Sequence, residues 1–288
     1  MQTGSKGDCR GNYFIKEGYA EKCGVFDENI LVTGISVYEV IKVKEKVPLF
    51  FEDHLDRLIN SAELAGARNY PSSAVIEKSM KLLLLNNHEF NEGNIRILLH
   101  FPVTVDDMPA IYCYFIPHYY ASDEEYELGV PVILIDAERR FLHSKIIDME
   151  FRSHINQKIK VRNAYEAFLA DSNGYVTEGS KSNYFMIKGR NIYTPPGTDV
   201  LPGITRKKIL DICKLSGIVA VEKKIHFNDL KGFDSCFISG TSPGILPVRN
   251  IEKTIYKVAH PLLKQLSLGY KALTENYILK NKLYSHQQ

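Results

Sequence analysis

Four groups of residues in this chain have types and spacings that could do chemistry. The first is YVTEGSKSNYFMIKG (Tyr175–Gly189), where two strand-like runs, Tyr175–Thr177 and Asn183–Ile187, flank a polar loop. That loop opens on one carboxylate, Glu178, set against a glycine, with Ser180, Ser182 and Asn183 beside it. Such an acid is either solvated turn decoration or a charge presented to a ligand. In DVLPGITRKK, Pro202-Gly203 stop a loop and Ile204-Thr205 open a helix. The unpaired N–H groups and positive dipole end of a first helical turn suit a phosphate, and Thr205 adds a hydroxyl. The plain alternative is a threonine near an ordinary helix start. In SGTSPG, Gly240, Thr241 and Ser242 leave a strand for a tight turn, a second candidate anion cradle or an ordinary Gly/Ser/Pro turn. Lastly, Arg57 shares a helical stripe with His54 and Ser61, where its guanidinium could take a phosphate through two N–H bonds or pair with an acid such as Asp53. Neither glycine-containing turn follows the G-x-x-x-x-G-K-[ST] loop or the dinucleotide glycine spacing, which disfavours nucleoside triphosphates and NAD.

The elements that must position these groups read as α+β. Strands are predicted at Asn12–Lys16 and Ser36–Val43, the latter rich in β-branched and aromatic residues. Leu55, Leu58, Ile59 and Ala62, spaced i, i+3, i+4, i+7, predict an amphipathic helix. A second helix is expected over Ser73–Leu85, then strands in NIRILLHF and AIYCYFIP. The acidic, poorly patterned YASDEEYELG reads as a linker, giving an N-terminal part over 1–120, a linker at 121–129 and a larger part over 130–288. Beyond the linker the pattern predicts a strand at Val130–Ile135, a helix at Asp148–Arg162 and a turn at Asp171–Gly174 between two strands. A helix at Ile204–Leu215, strands at Val219–Ile225, Ser235–Ser239 and Ile245–Val248, and a C-terminal helix at Pro261–Leu279 follow.

The chain has 288 residues, 44% of them hydrophobic and 24% charged, so one large or two ordinary domains with a sizeable core are expected. A net charge of +2 is too small to point to nucleic acid or an anionic membrane as partner. The five cysteines are scattered, without C-x-x-C pairs or a Cys/His cluster, so neither a disulfide framework nor a metal site is expected. The longest leucine run, Leu82–Leu85, is too short to span a bilayer, and a soluble protein of the cytoplasm is the expectation.

In order along the chain, VYEVIKV, HLDRL, YEAFLADSNGYVTEGSKSNYF, TPPGTDVLPGITR and SGTSPGILPV resemble the class IV aminotransferases, the pyridoxal-phosphate family of branched-chain and D-amino acid aminotransferases and aminodeoxychorismate lyase. The resemblance runs from about Asn12 to Val248. It implies a two-domain α/β (α+β) enzyme of fold type IV, with a small N-terminal α/β domain and a larger C-terminal mixed β domain carrying helices. It also implies pyridoxal 5'-phosphate as cofactor. Arg57 matches the family's phosphate-binding arginine, Ile204 and Thr205 its helix-terminus phosphate cup, and Thr241 with Ser242 its second cup. Glu178 becomes the partner of the pyridinium nitrogen. Counting back from YEA without gaps puts the Schiff-base lysine at Lys145; Lys158 and Lys160 fall in the predicted helix, and Lys181 stands too close to Glu178.

The substrate side is less defined. VYEVIKV, with Tyr38, is closest to the D-amino acid enzymes, and strand alternation puts Arg96 and His100 on one face as candidate substrate contacts. Arg96 matches the arginine of the branched-chain enzymes' Tyr-x-Arg-Pro, but Asn94 and Ile97 replace that tyrosine and proline. The arginine of the D-amino acid enzymes falls on Phe101. The expected activity is transfer of an amino group between a branched-chain L- or a D-amino acid and a 2-oxo acid. The alternatives are a 4-amino-4-deoxychorismate lyase and an inactive homologue. A homodimer is implied by the resemblance alone.

Overall fold

Alternating apolar residues build the first sheet, in a computed structural model that describes residues 8–102 and 104–285. The strands are β1 (Arg10–Lys16), β2 (Tyr19–Lys22), β3 (Ile35–Lys44) and β4 (Val47–Pro48), then helices α1 (Phe51–Leu64) and α2 (Ser73–Asn86), then β5 (Glu92–Phe101) and β6 (Ala110–Ile116). Among the described residues these strands pair antiparallel in the order β2-β1-β6-β5-β3-β4. β3 and β5 run in register from Ile35 opposite Phe101 to Lys44 opposite Glu92. With a side-chain period of 2, one face of this pair (Val37, Ile41, Val43, Ile95, Ile97, Leu99) meets Leu55, Leu58 and Ala62 of α1 and Ile76, Met80 and Leu83 of α2. The other face carries Tyr38, Leu98 and Tyr114 against Phe14, Phe26 and Tyr112. Cys9 and Cys23 form a disulfide, where the scattered spacing predicted none. The antiparallel β1–β2 hairpin, with Tyr13 opposite Lys22, returns the chain and brings the two cysteines together.

The second set comprises α3 (Asp123–Leu128), β7 (Val130–Asp136), α4 (Met149–Val161), β8 (Glu166–Ala170), β9 (Tyr175–Gly179), β10 (Asn183–Lys188), β11 (Asn191–Thr194), α5 (Ile204–Leu215), β12 (Ala220–Glu222), β13 (Ile225–His226), β14 (Ser235–Gly240), β15 (Gly244–Ile251), β16 (Thr254–Ile255) and α6 (Pro261–Ser285). The sheet order is β12-β11-β10-β14-β15-β7-β8-β9-β13, with β16 on β15. The β7–β8, β7–β15 and β11–β12 pairs are parallel. Phe185 and Phe237 stack at 4.9 Å between centroids and pack on Ile209 and Cys213 of α5 and Leu263 and Leu266 of α6. The chain divides into two units. One takes the residues up to Tyr119 together with Ser144–Met149 and the chain from Tyr277; the other takes Tyr120–His143 and Glu150–Asn276.

Two segments differ from the sequence pattern. The acidic stretch 121–129 holds α3, because Ser122 Oγ accepts from Glu125 N (3.2 Å) and the Glu125 carboxylate accepts from Ser122 N (2.8 Å). Asp123, Glu124 and Glu125 then face the positive end of the helix dipole. The single strand expected over Val219–Ile225 is two, β12 parallel to β11 and β13 antiparallel to β9. Among the described residues no helix is long and apolar enough to cross a membrane.

Leu58 is fully buried on α1 and Leu64, at the end of the same helix, is 57% exposed. Leu58→Ala should cost about 2–5 kcal/mol, through lost burial plus a cavity. Leu64→Ala should cost no more than about 0.5 kcal/mol. Urea midpoints of the two variants against the parent protein measure the difference; equal shifts would contradict this packing.

Candidate active site

In the unit that holds β9 and β10, the Glu178 loop is fixed by a second buried carboxylate. Glu166, in YEA at the start of β8, accepts from Ser180 N (3.1 Å), Ser180 Oγ (2.6 Å), Lys181 N (3.2 Å), Ser182 Oγ (2.9 Å) and its neighbour Ala167 N (2.8 Å). A carboxylate that has left water must fill its lone pairs with donors, and here the loop supplies them. Ser180 and Ser182, which stand beside Glu178 in the sequence, are the side-chain donors. A Cβ on Gly179 would lie 2.1 Å from Ser182 Oγ, so a side chain there would push that hydroxyl away from Glu166. Glu178 itself is 2% exposed; its Oε1 lies 2.5 Å from Arg139 Nε, and its Oε2 accepts from Leu201 N at 3.3 Å. Nothing in the sequence pattern singles out Arg139. Its Nη2 also donates to Ser180 O at 2.5 Å.

The same loop leads to both expected cups. Asn183 Nδ2 donates to Leu201 O (3.1 Å), and a Cβ on Gly203 would lie 2.0 Å from Asn183 Oδ1, so a side chain at the start of α5 would displace that amide. The α5 N-terminus has no side-chain cap and no acid in its first turn, and Ile204 and Thr205 are buried. A Cβ on Gly240, where the Thr241-Ser242 turn begins, would stand 3.6 Å from Lys181 O. Tyr270 of α6 joins the two cups: it is hydrogen-bonded to Thr205, and its ring would lie 3.1 Å from a Cβ on Gly244 across the turn. Its place on a long C-terminal helix left no local signal. Tyr126 of α3 donates to Pro243 O at 2.6 Å and holds the second turn from outside. One wall thus gathers Glu178, Ile204, Thr205, Thr241 and Ser242.

The other unit gathers Tyr38, Arg57, Arg96, His100 and Lys145. Ser144–Ile147 lies along β3, with Tyr38 N donating to Lys145 O (2.9 Å) and Ile147 N to Ser36 O (2.9 Å). Lys145 N donates to Ser61 Oγ on α1 at 3.2 Å. Lys145 Nζ stands 4.7 Å from the centroid of the Tyr38 ring. Lys158 and Lys160 lie in the last turn of α4. The stripe of His54, Arg57 and Ser61, read as a polar border of α1, is buried. The cause is Glu39, which faces α1 from β3: Arg57 donates through Nε (2.6 Å) and Nη2 (2.7 Å), and His54 Nδ1 lies at 2.8 Å. The signal available in VYEVIKV is that alternation puts this carboxylate on the apolar face of Val37, Ile41 and Val43. Arg96 pairs with Asp8 and donates to Tyr114 Oη at 3.1 Å. His100 Nδ1 is 2.9 Å from Ser36 Oγ.

The mixed α/β chain with its two sheets has the architecture of the fold type IV enzymes. The Amino-transferase class IV family matches residues 36–251, most of the chain, and the chain belongs to it. The chain is 29% identical over 269 residues to branched-chain-amino-acid aminotransferase-like protein 2 of Arabidopsis thaliana, and spans 48% of that protein's length. With the putative branched-chain-amino-acid aminotransferase of Methanocaldococcus jannaschii it shares 29% identity, covering 93% of this chain and 96% of that one. The D-alanine aminotransferase of Bacillus licheniformis is 31% identical, over 76% and 80% of the two chains. The structure of the Escherichia coli branched-chain enzyme superposes with a TM-score of 0.80 at 22% identity, over 92% and 95%.

The family generally uses pyridoxal phosphate, and the residues present fit that group. A buried carboxylate suits a protonated ring nitrogen. An uncapped, acid-free helix start with adjacent hydroxyls suits the phosphate, and Ser239 Oγ, buried just before Thr241, has no hydrogen-bond partner. Lys145 supplies a primary amine.

Burial by itself would raise the Glu39 pKa, but the Arg57 charge and the hydrogen bonds from His54 and Arg57 outweigh it and hold the carboxyl far below its usual range. Burial pushes the His54 imidazole down, against the opposing pull of Glu39. Both shifts are depressions, so both stabilise the fold most above the unfolded pKa values and are lost as pH falls, first through the histidine and then through the carboxylate range. Glu39→Ala should therefore cost about 3–5 kcal/mol at neutral pH by leaving Arg57 without its buried counter-ion. It should also flatten the acid limb of the stability curve. Urea denaturation across pH 3 to 8 checks both, and an acid limb that keeps the parent's slope would contradict the pairing.

Proposed function

We propose that the chain transfers an amino group between a branched-chain L- or a D-amino acid and a 2-oxo acid, as a homodimer of the cytoplasm. The observation that carries this reading is the wall that gathers Glu178, the α5 start and the Thr241 turn, because those are the three kinds of group a phosphorylated pyridine needs from a protein. Pyridoxal phosphate, when bound, supplies an aldehyde for the amino group and a ring that stabilises negative charge at the substrate Cα.

Each residue then has one task. Lys145 Nζ is the primary amine that would hold the cofactor through its aldehyde, and its free amine would serve as the base and acid for the substrate Cα proton. The Tyr38 ring, its centroid 4.7 Å from Nζ, would favour the charged form of that amine beside it. Glu178 keeps the proton on the ring nitrogen, and Arg139 fixes the carboxylate that does so. Ile204 N–H, Thr205, Thr241 and Ser242 would hold the phosphate, with Arg57, whose guanidinium Glu39 fixes, as the further donor that the family resemblance implies. A lyase of the 4-amino-4-deoxychorismate type would use the same cofactor residues and differ in its substrate.

The purified protein should be yellow, and borohydride should fix the cofactor on the peptide containing Lys145; a colourless protein that takes up no pyridoxal phosphate would sink the reading. Single-turnover bleaching with L-Val, L-Glu, D-Ala and D-Glu should show conversion by one or more of these. If no amino acid bleaches the enzyme, the lyase reading replaces this one. Glu178→Gln should keep the colour and lose proton-transfer rate by about 10²-fold or more, since an amide cannot hold the ring nitrogen protonated. An unchanged rate removes Glu178 from that role.

A further inference from the structure

The Arg96 guanidinium is already answered by a carboxylate of its own chain. Asp8, two residues before β1, pairs with Arg96 Nη1, and the two side chains are only 29% and 17% exposed. Asp8 is held on both sides: its backbone N–H donates to Glu28 Oε1 at 2.5 Å, and the next residue, Cys9, is bonded to Cys23. Two aromatic faces flank the guanidinium, Tyr38 at 5.6 Å and Tyr114 at 5.7 Å. Tyr38 is the same ring that faces Lys145 Nζ at 4.7 Å, so the Asp8–Arg96 pair stands one aromatic ring away from the lysine. The hold is one-ended, because Arg96 Nε is buried and has no hydrogen-bond partner.

We propose that Asp8 is a specificity-determining residue, an internal carboxylate that occupies Arg96 and closes it to a second carboxylate on the substrate. The proposal rests on the aminotransferase reading and deepens it by naming the substrate side chains the site refuses. A half-buried guanidinium needs a counter-ion, and a carboxylate fixed in the same chain competes with a ligand as if present at millimolar concentration or more. A dicarboxylate must expel Asp8 or accept repulsion from it, whereas a ligand with an apolar side chain leaves the pair intact. Without Asp8, Arg96 Nη1 can donate to an incoming carboxylate instead.

Calorimetric titration of the cofactor-loaded protein with glutarate and with valerate tests this. Asp8→Asn should tighten glutarate binding by at least about tenfold while valerate moves by less than about twofold. Asp8→Ser should repeat the result if the asparagine variant folds poorly, and Asp8→Glu, which keeps the charge, should restore the exclusion. Adding Arg96→Gln to Asp8→Asn should abolish the gain. Equal glutarate affinity in the parent and Asp8→Asn proteins, or a gain that survives Arg96→Gln, would overturn the proposal. Failure of the aminotransferase reading is separately visible, as a protein that takes up no pyridoxal phosphate before any titration begins.

Discussion

The pairing of Glu39 with Arg57 is the contact around which the first unit is arranged. Glu39 stands in the middle of β3 on the face that packs against α1, among Val37, Ile41 and Leu58. A carboxylate in such surroundings is tolerated only with donors in good geometry, and α1 provides them from two successive turns, His54 and Arg57. The pair thereby sets the rotation of α1 over the sheet. That rotation also turns Ser61 toward the Ser144–Lys145 segment, where its carbonyl accepts from Ser144 Oγ at 2.7 Å and its hydroxyl accepts from Lys145 N. A charge pair in the core and the placement of the lysine backbone are consequences of one helix orientation.

The second unit solves the same problem with another acid. Glu166 has no cation against it among the contacts above; it is filled by loop N–H groups and serine hydroxyls. An ion pair fixes a side chain, while four donors from consecutive loop residues fix a backbone. The outcomes differ accordingly: the Arg57 guanidinium is held in one orientation, and the 179–182 loop is held to one course with Glu178 just before it.

Much of this was legible in the sequence because local periodicity carries it. The bounds of α5 follow from Pro202-Gly203 and the apolar spacing of Ile209, Ile212 and Cys213, and β3, β5 and α1 follow from periods of 2 and 3.6. The residues that join elements distant in the chain were not legible. Tyr270 meets Thr205 from 65 positions further along the chain and gives no local pattern. The Asp8–Arg96 and Cys9–Cys23 contacts depend on how hairpins return, which composition does not encode. Two signals were present in local form. The S-x-x-E of Ser122–Glu125 is a capping box inside a stretch whose acidity suggests a linker, and Glu39 interrupts an apolar strand face at a position where only a paired charge survives.

Glu178 shows why a site residue is better held by a charge than by the loop alone. Its bond from Leu201 N is long, at 3.3 Å, and a neutral amide donor at that distance contributes less than the net ~1 kcal/mol of an ordinary hydrogen bond. Arg139 approaches to 2.5 Å and brings a full charge into a setting where Glu178 is almost wholly removed from water, so it governs the carboxylate's position. Arg139 is tied in turn to the loop that Glu166 organises, through Ser180 O. The acid is therefore fixed from both ends of one network, and a change in Glu166 would reach Glu178 through Arg139 as well as through the chain between them.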